Sequence, residues 1–174
     1  ENGQLNNNDP FAIEVLTGIL DGNQNSRLNR QLVIDKKIVS SIGTSYDGFS
    51  RGQSMLNISG VLLPGKTPEM FESEVKRILK EIAQNGVKPE ELKRVKIAVT
   101  AAQVYKKDSV FGQAMEIGAL EMHDISWRQI DTIDEKLQSI TSDQVQEVVK
   151  KFINDSQLTV GVLKPIALKK ASSN

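Results

Sequence analysis

Apolar residues recur at helical spacing near the start of the chain. Phe11, Val15, Leu16, Ile19 and Leu20 place one stripe on a short buried helix that opens at the Asp9-Pro10 pair. The run Gly22-Asn23-Gln24-Asn25-Ser26-Arg27-Leu28 interrupts it. Gly22 allows a left-handed stop, and the Ser26 hydroxyl is placed to cap a second helix by accepting a backbone N–H bond. Leu28, Leu32 and Val33 mark that helix, which ends near Lys37 with Lys36 and Lys37 at its negative pole. The period then changes. Ile38 to Tyr46 is β-branched and small, Asp47-Gly48 has turn chemistry, and Gln53 to Leu63 alternates in part before Pro64-Gly65. This predicts a hairpin with helices on one face and polar residues (Ser41, Asn57, Ser59) on the other.

Helical patterns fill the rest. Thr67-Pro68-Glu69 is a start signal for a stripe of Phe71, Val75, Ile78, Leu79 and Ile82 that ends at Asn85-Gly86. Lys88-Pro89-Glu90-Glu91 opens a helix to about Lys107, and Asp108-Ser109 separates it from Val110 to Met122. Ser126 caps a stretch through Ile130, Ile133 and Leu137. Thr141 to Gln144 resembles a capping box for a last helix with Val145, Val148, Val149 and Phe152. Leu158 to Leu163 reads as a closing strand in the same sheet. The fold class is α+β, a mostly antiparallel sheet with helices packed on one face. Residues 1–9 read as a disordered lead-in, 10–165 as a single α+β domain and 166–174 as a polar tail.

Composition narrows the function. With 22 Lys+Arg against 22 Asp+Glu there is no net field to draw nucleic acid or an anionic membrane. The absence of cysteine excludes disulfides and thiolate metal sites and leaves the redox compartment open. No apolar run reaches the roughly 20 residues of a membrane helix. The sequence begins at Glu1 rather than Met, so it reads as a processed chain or part of a longer one.

Candidate chemistry is sparse. His123 is the single histidine, set in Glu121-Met122-His123-Asp124, and it has no second imidazole to join it on a metal. No Ser-His-Asp constellation can be built around it, so no catalytic or metal-ligating residue is assigned. Gly22 to Ser26 lacks the lysine and the strand lead-in of a phosphate loop and reads as a plain turn. Arg27 suits a structural ion pair. Tyr105 and Trp127 read as amphipathic residues at the core edge.

The order of helix, Gly-x-x-x-Ser-Arg-Leu (Gly22, Ser26, Arg27, Leu28), helix, hairpin and charged helices resembles the C-terminal, non-metal-binding domain of the pitrilysin-like zinc metallopeptidases. These are the relatives of insulin-degrading enzyme and of the mitochondrial processing peptidase. Val87 to Lys96, Ile140 to Val145 and Leu158 to Leu163 are similar to further stretches of that family, so the resemblance runs from about Asp9 to Pro165. The family's zinc chemistry needs His-x-x-Glu-His, which is absent here. The resemblance therefore implies a non-catalytic domain that binds no cofactor itself. It would pair with a zinc-bearing His-x-x-Glu-His domain or subunit to enclose peptide substrate. An arginine and a tyrosine that touch substrate in some members align with Val33 and Ser40, which resembles the second domain of a metal-carrying half. Ser40, Ser41, Thr44 and Ser45 are candidates for lining the substrate chamber, and they also fit as solvent-facing strand positions. Two other readings stay open: an inactive assembly subunit of the same fold, and a small-ligand-binding α+β domain.

Overall fold

Six α-helices and a two-stranded sheet make up the regular structure of a computed structural model that describes residues 3–50 and 52–164. Helix α1, Asp9–Asp21, carries Pro10 in its first turn and buries Phe11, Ala12, Val15, Leu16, Ile19 and Leu20, the stripe its spacing predicts. The lead-in is more ordered than its composition suggests. Gly3–Asn6 forms a 3₁₀ turn and Leu5 is buried, because one apolar side chain suffices to anchor the segment on the core.

The turn after α1 departs from expectation in two ways. Gly22 keeps a right-handed conformation, with φ of −62°. A Cβ there would lie 2.5 Å from the Gly18 carbonyl oxygen, so close approach, not a left-handed stop, requires glycine. The Ser26 hydroxyl reaches backward, accepting the Asn23 N–H at 2.9 Å and donating to the Asn23 carbonyl, instead of capping the helix ahead. That helix continues as a wide π-type turn over Asn29–Asp35, closed by Lys36 N–H to Gln31 O at 3.0 Å. The left-handed residue of this segment is Lys37, at φ 49°, with Ile38 between it and the first strand.

Strand β1 is Val39–Ser45 and β2 is Asn57–Leu62, paired antiparallel. The loop between them is longer than the Asp47-Gly48 pair alone would need, and Asp47 Oδ1 folds it by accepting the Phe49 N–H at 3.1 Å. Helix α2, Pro68–Asn85, is capped by the Thr67 hydroxyl and stops at Gly86, whose φ is 71°. Its buried residues are Val75, Ile78, Leu79 and Ile82. Helix α3, Pro89–Lys107, follows, then α4, Val110–Met122, started by Ser109 accepting the Gly112 N–H. Helix α5 is Ile130–Ser139, entered through a 3₁₀ turn at Trp127–Gln129. Helix α6, Ser142–Phe152, has the predicted box: Thr141 Oγ1 accepts from Gln144 N–H and Gln144 Oε1 from Thr141 N–H.

The core lies where α1 meets α6, α3 and α5, with α2 bridging α6 and the hairpin. Gly60 of β2 sits against Phe71 of α2, and an added Cβ would come within 2.9 Å of that ring. Two expectations fail for tertiary reasons. Leu158 to Leu163 forms no strand, since the sheet holds only β1 and β2 and nothing among the described residues pairs with the segment. Tyr105, expected at the core edge, is 76% exposed because it lies on the side of α3 away from α1 and α5. The polar tail 166–174 lies outside the described residues.

Candidate functional site

The register of the hairpin decides which side chains share a face. Val39 pairs with Leu62 and Ser41 with Val61, so Ser40 is an extra residue in a bulge. Ser40 and Ser41 therefore both lie opposite Val61, and the Ser40 hydroxyl donates to the Val61 carbonyl at 3.2 Å. Beyond the bulge Gly43 faces Ser59 and Ser45 faces Asn57. Ser40, Ser41 and Ser45 thus join Asn57, Ser59 and Val61 on the outward face, away from the helices.

Thr44 is separated from the other three candidates. It pairs with Ile58, which packs on the core, and its backbone N–H is held by Asp21 Oδ2 at 2.9 Å. Three of the four chamber candidates therefore form one small-residue surface and the fourth lies behind it. Sequence reasoning missed Val61 and Gly43 as members of this surface. Only cross-strand pairing reveals them, although the consecutive serines at 40 and 41 are the trace a bulge leaves in an alternating strand. Val33 packs against the core and Ser40 lies on the outward face.

The Ser-Arg-Leu run does structural work. Ser26, Arg27 and Leu28 are all buried. Arg27 grips Glu91 with two parallel bonds, Nε to Oε1 at 2.8 Å and Nη2 to Oε2 at 2.7 Å, and also reaches the Gly86 carbonyl. Glu91 Oε2 simultaneously accepts the Lys88 N–H at 2.9 Å, which caps α3. The motif therefore locks the turn after α1 to the α2–α3 junction.

His123 lies at the C-terminal cap of α4, and no group of three or more His, Cys, Asp or Glu among the described residues is arranged to hold a metal. An acidic patch lies between α1 and the hairpin loop. Glu14 is exposed as a residue, yet desolvation of its carboxyl by the surrounding atoms, then the charge of Asp47, push that carboxyl above the ordinary range, with Lys106 opposing. A carboxyl whose folded pKa is raised favours the folded state below the usual pKa and weakens it as pH rises past that value. Glu14→Gln is thus expected to raise Tm by about 1 °C at pH 7 and to change it little at pH 4. A thermal melt at the two pH values checks the sign.

Residues 1–99 match the family model described as the peptidase M16 inactive domain. The chain belongs to this inactive-domain family. Solved structures agree in fold. The peptidase M16 inactive domain of this chain superposes on a protease from Helicobacter pylori with a TM-score of 0.79 at 18% identity, covering 86% of this chain and 36% of that one. It therefore spans about a third of that protease. Against a protein described as a zinc protease from Bordetella pertussis Tohama I, the TM-score is 0.75 at 16% identity, covering 88% of this chain and 83% of the other. Against the inactive peptidase domain of a protein described as a zinc protease from Bordetella parapertussis, it is 0.82 at 16% identity, covering 97% and 88%. At these identities the structures speak for the fold alone. No curated protein matches the sequence. The peptidase M16 inactive domain seen here is α+β, with its helices on one face of an antiparallel pair, as the hydrophobic pattern predicts.

Proposed function

We propose that this inactive domain pairs with a separate zinc-bearing His-x-x-Glu-His peptidase domain and forms one wall of the enclosure that holds a peptide for hydrolysis. The observation that carries this reading is the outward hairpin face. Ser40, Ser41, Gly43, Ser45, Asn57 and Ser59 offer hydroxyls, an amide and little bulk, so extended peptides of varied sequence meet hydrogen-bonding groups without strong shape demands. Zinc and the catalytic glutamate belong to the partner, because one imidazole in this chain cannot reproduce a two-histidine site. This chain contributes position and exclusion of water, which raise the effective concentration of the scissile bond at the metal.

The test joins the domain to its catalytic partner in the full-length protein and replaces Ser41 or Ser45 with tryptophan. Both positions are exposed, so Tm should stay within about 1 °C, while kcat/KM for an unstructured peptide falls about tenfold, equivalent to about 1.4 kcal/mol. Turnover and affinity that match the unsubstituted protein, with the fold intact, would show that the domain acts as scaffold only.

A further inference from the structure

A cavity of about 390 Å³ opens between α1, α3, α4, α5 and the loop that follows β1, a size that suits a small ligand or one long side chain. Phe11, Phe49, Leu120, Ile130 and Leu137 give it an apolar wall, and Tyr46 adds a ring from the loop. Four carboxyl groups stand in that wall, each from a different element: Glu14 on α1, Asp47 in the loop, Glu116 on α4 and Asp134 on α5. Among the described residues Lys106 is the one cation lining the cavity, and its Nζ bonds Glu116 Oε1 at 3.0 Å. Two further ammonium groups stand near the cavity without lining it. Lys107 pairs with Asp131 at 3.6 Å, and Lys136 sits 5.7 Å from the Phe11 ring centroid. Glu14, Asp47 and Asp134 are left with no ion pair among the described residues.

The acceptors of this cavity lack donors. Asp134 Oδ1 and Gln103 Oε1 are shielded from water, and neither has a hydrogen-bond partner among the described residues. A buried oxygen in that state is costly and marks the place of a missing N–H or O–H. The titratable groups register a missing positive charge. Desolvation first, then Asp47 for Glu14 and Glu116 for Asp134, holds both carboxyls above the ordinary range although Lys106 opposes at each. The Tyr46 hydroxyl is pushed up in the same way, by desolvation and then by Glu14, Asp47 and Asp9. A metal ion is the wrong complement, because no group of three or more His, Cys, Asp or Glu among the described residues is arranged to hold one. Acceptors spread around an apolar, aromatic cavity suit a cation that is itself extended. Its several N–H groups can meet separate oxygens while its stem lies against the rings.

We infer that this cavity binds an organic cation, an ammonium or guanidinium group on a short apolar stem, with Asp134 and Gln103 accepting its N–H bonds and Glu14 and Asp47 supplying the opposite charge. Free alkylamines and guanidines carry that chemistry, and so do the lysine and arginine side chains of a peptide. The inference does not rest on the proposed function, since the cavity is built from helices and a loop and not from the outward face of the hairpin.

Calorimetric titration of the full-length protein with n-butylguanidinium tests it, with n-butylurea as an uncharged match of nearly the same shape. The guanidinium should bind at about millimolar concentration or below, and the urea about tenfold more weakly. Asp134→Asn keeps the shape of the wall and removes one charge. Affinity for the guanidinium should fall about tenfold while Tm does not fall, because a carboxylate without a partner has been neutralised. Lys106→Gln should act in the opposite sense and tighten binding about threefold, since it removes the ammonium that offsets Glu116. Residues with a purely structural role would not give opposite signs. No binding of the guanidinium, equal binding of the urea, or an affinity unchanged in both variants overturns the inference. Should Asp134→Asn fail to fold, the urea comparison and Lys106→Gln still decide. A blocked peptide with one central arginine separates the two sources. Binding about tenfold tighter than n-butylguanidinium assigns the cavity to a peptide side chain, and any weaker binding assigns it to a free small cation.

Discussion

Arg27→Ala should cost about 3–5 kcal/mol of folding stability, the range for removing one partner of a buried ion pair. Arg27 is 8% exposed and the Glu91 side chain 14%. Truncation strands a carboxylate between α2 and α3 and leaves the Gly86 carbonyl without its guanidinium donor. For a chain of this size the loss corresponds to a fall in Tm on the order of 10 °C. Acid titration gives an independent signature. Burial alone would raise the Glu91 carboxyl, but the Arg27 guanidinium and the Lys88 N–H outweigh it, and the net shift is downward from 4.5. A depressed carboxylate contributes stability that is fully present above its unfolded pKa and is lost as pH falls through the folded one. The gap between native and Arg27→Ala proteins should therefore be widest at neutral pH and shrink below about pH 4. Urea unfolding at pH 7 and pH 4 measures both effects. A cost under about 1 kcal/mol would place the pair among ordinary surface bridges and remove the structural reason for the Ser-Arg-Leu run.

Phe11→Ala should be nearly as damaging, at about 3–5 kcal/mol for emptying a fully buried aromatic site. Phe11 is 2% exposed, meets Phe49 edge-to-face with centroids 5.9 Å apart, and has the Lys136 ammonium 5.7 Å from its ring centroid. The ring therefore ties α1 to the hairpin loop as well as to the core. Phe11→Leu keeps most of the apolar volume and should cost about 1–2 kcal/mol. Denaturant midpoints of the two variants, at unchanged m-value, separate cavity formation from general loosening. Equal costs for leucine and alanine would mean that the aromatic contact with Phe49, not the filled volume, dominates this site.

What the sequence made legible was local. Thr67, Ser109 and Thr141 announce helix starts because a capping hydroxyl acts within three residues of itself, and all three hydroxyls accept a backbone N–H three residues on. The α1 stripe was equally plain, since one helix face needs only its own spacing. What stayed hidden depends on residues far apart in the chain. Thr44 and Ser45 are indistinguishable by type, and pairing with Ile58 or Asn57 decides which one turns toward the helices. Gly22 looks like a left-handed cap until the Gly18 carbonyl is found against it. Leu158 to Leu163 has strand composition, but a strand exists only beside a neighbour, and the neighbour is not in the pattern of these residues. Tyr105 is amphipathic in isolation, and only the placement of α3 leaves it exposed.

The junction of α1 with α6 carries a consequence for how the chain is made. Lys151 bonds Asp9 across 142 positions of sequence, and Val145, Val148 and Val149 help bury the apolar face of α1. During synthesis at about 5–20 residues per second, α1 leaves the ribosome roughly 7–26 s before α6 does. Through that interval Phe11, Val15, Leu16, Ile19 and Leu20 lack their final cover. The apolar stripe of α1 therefore stays open on the nascent chain until its last helix is translated.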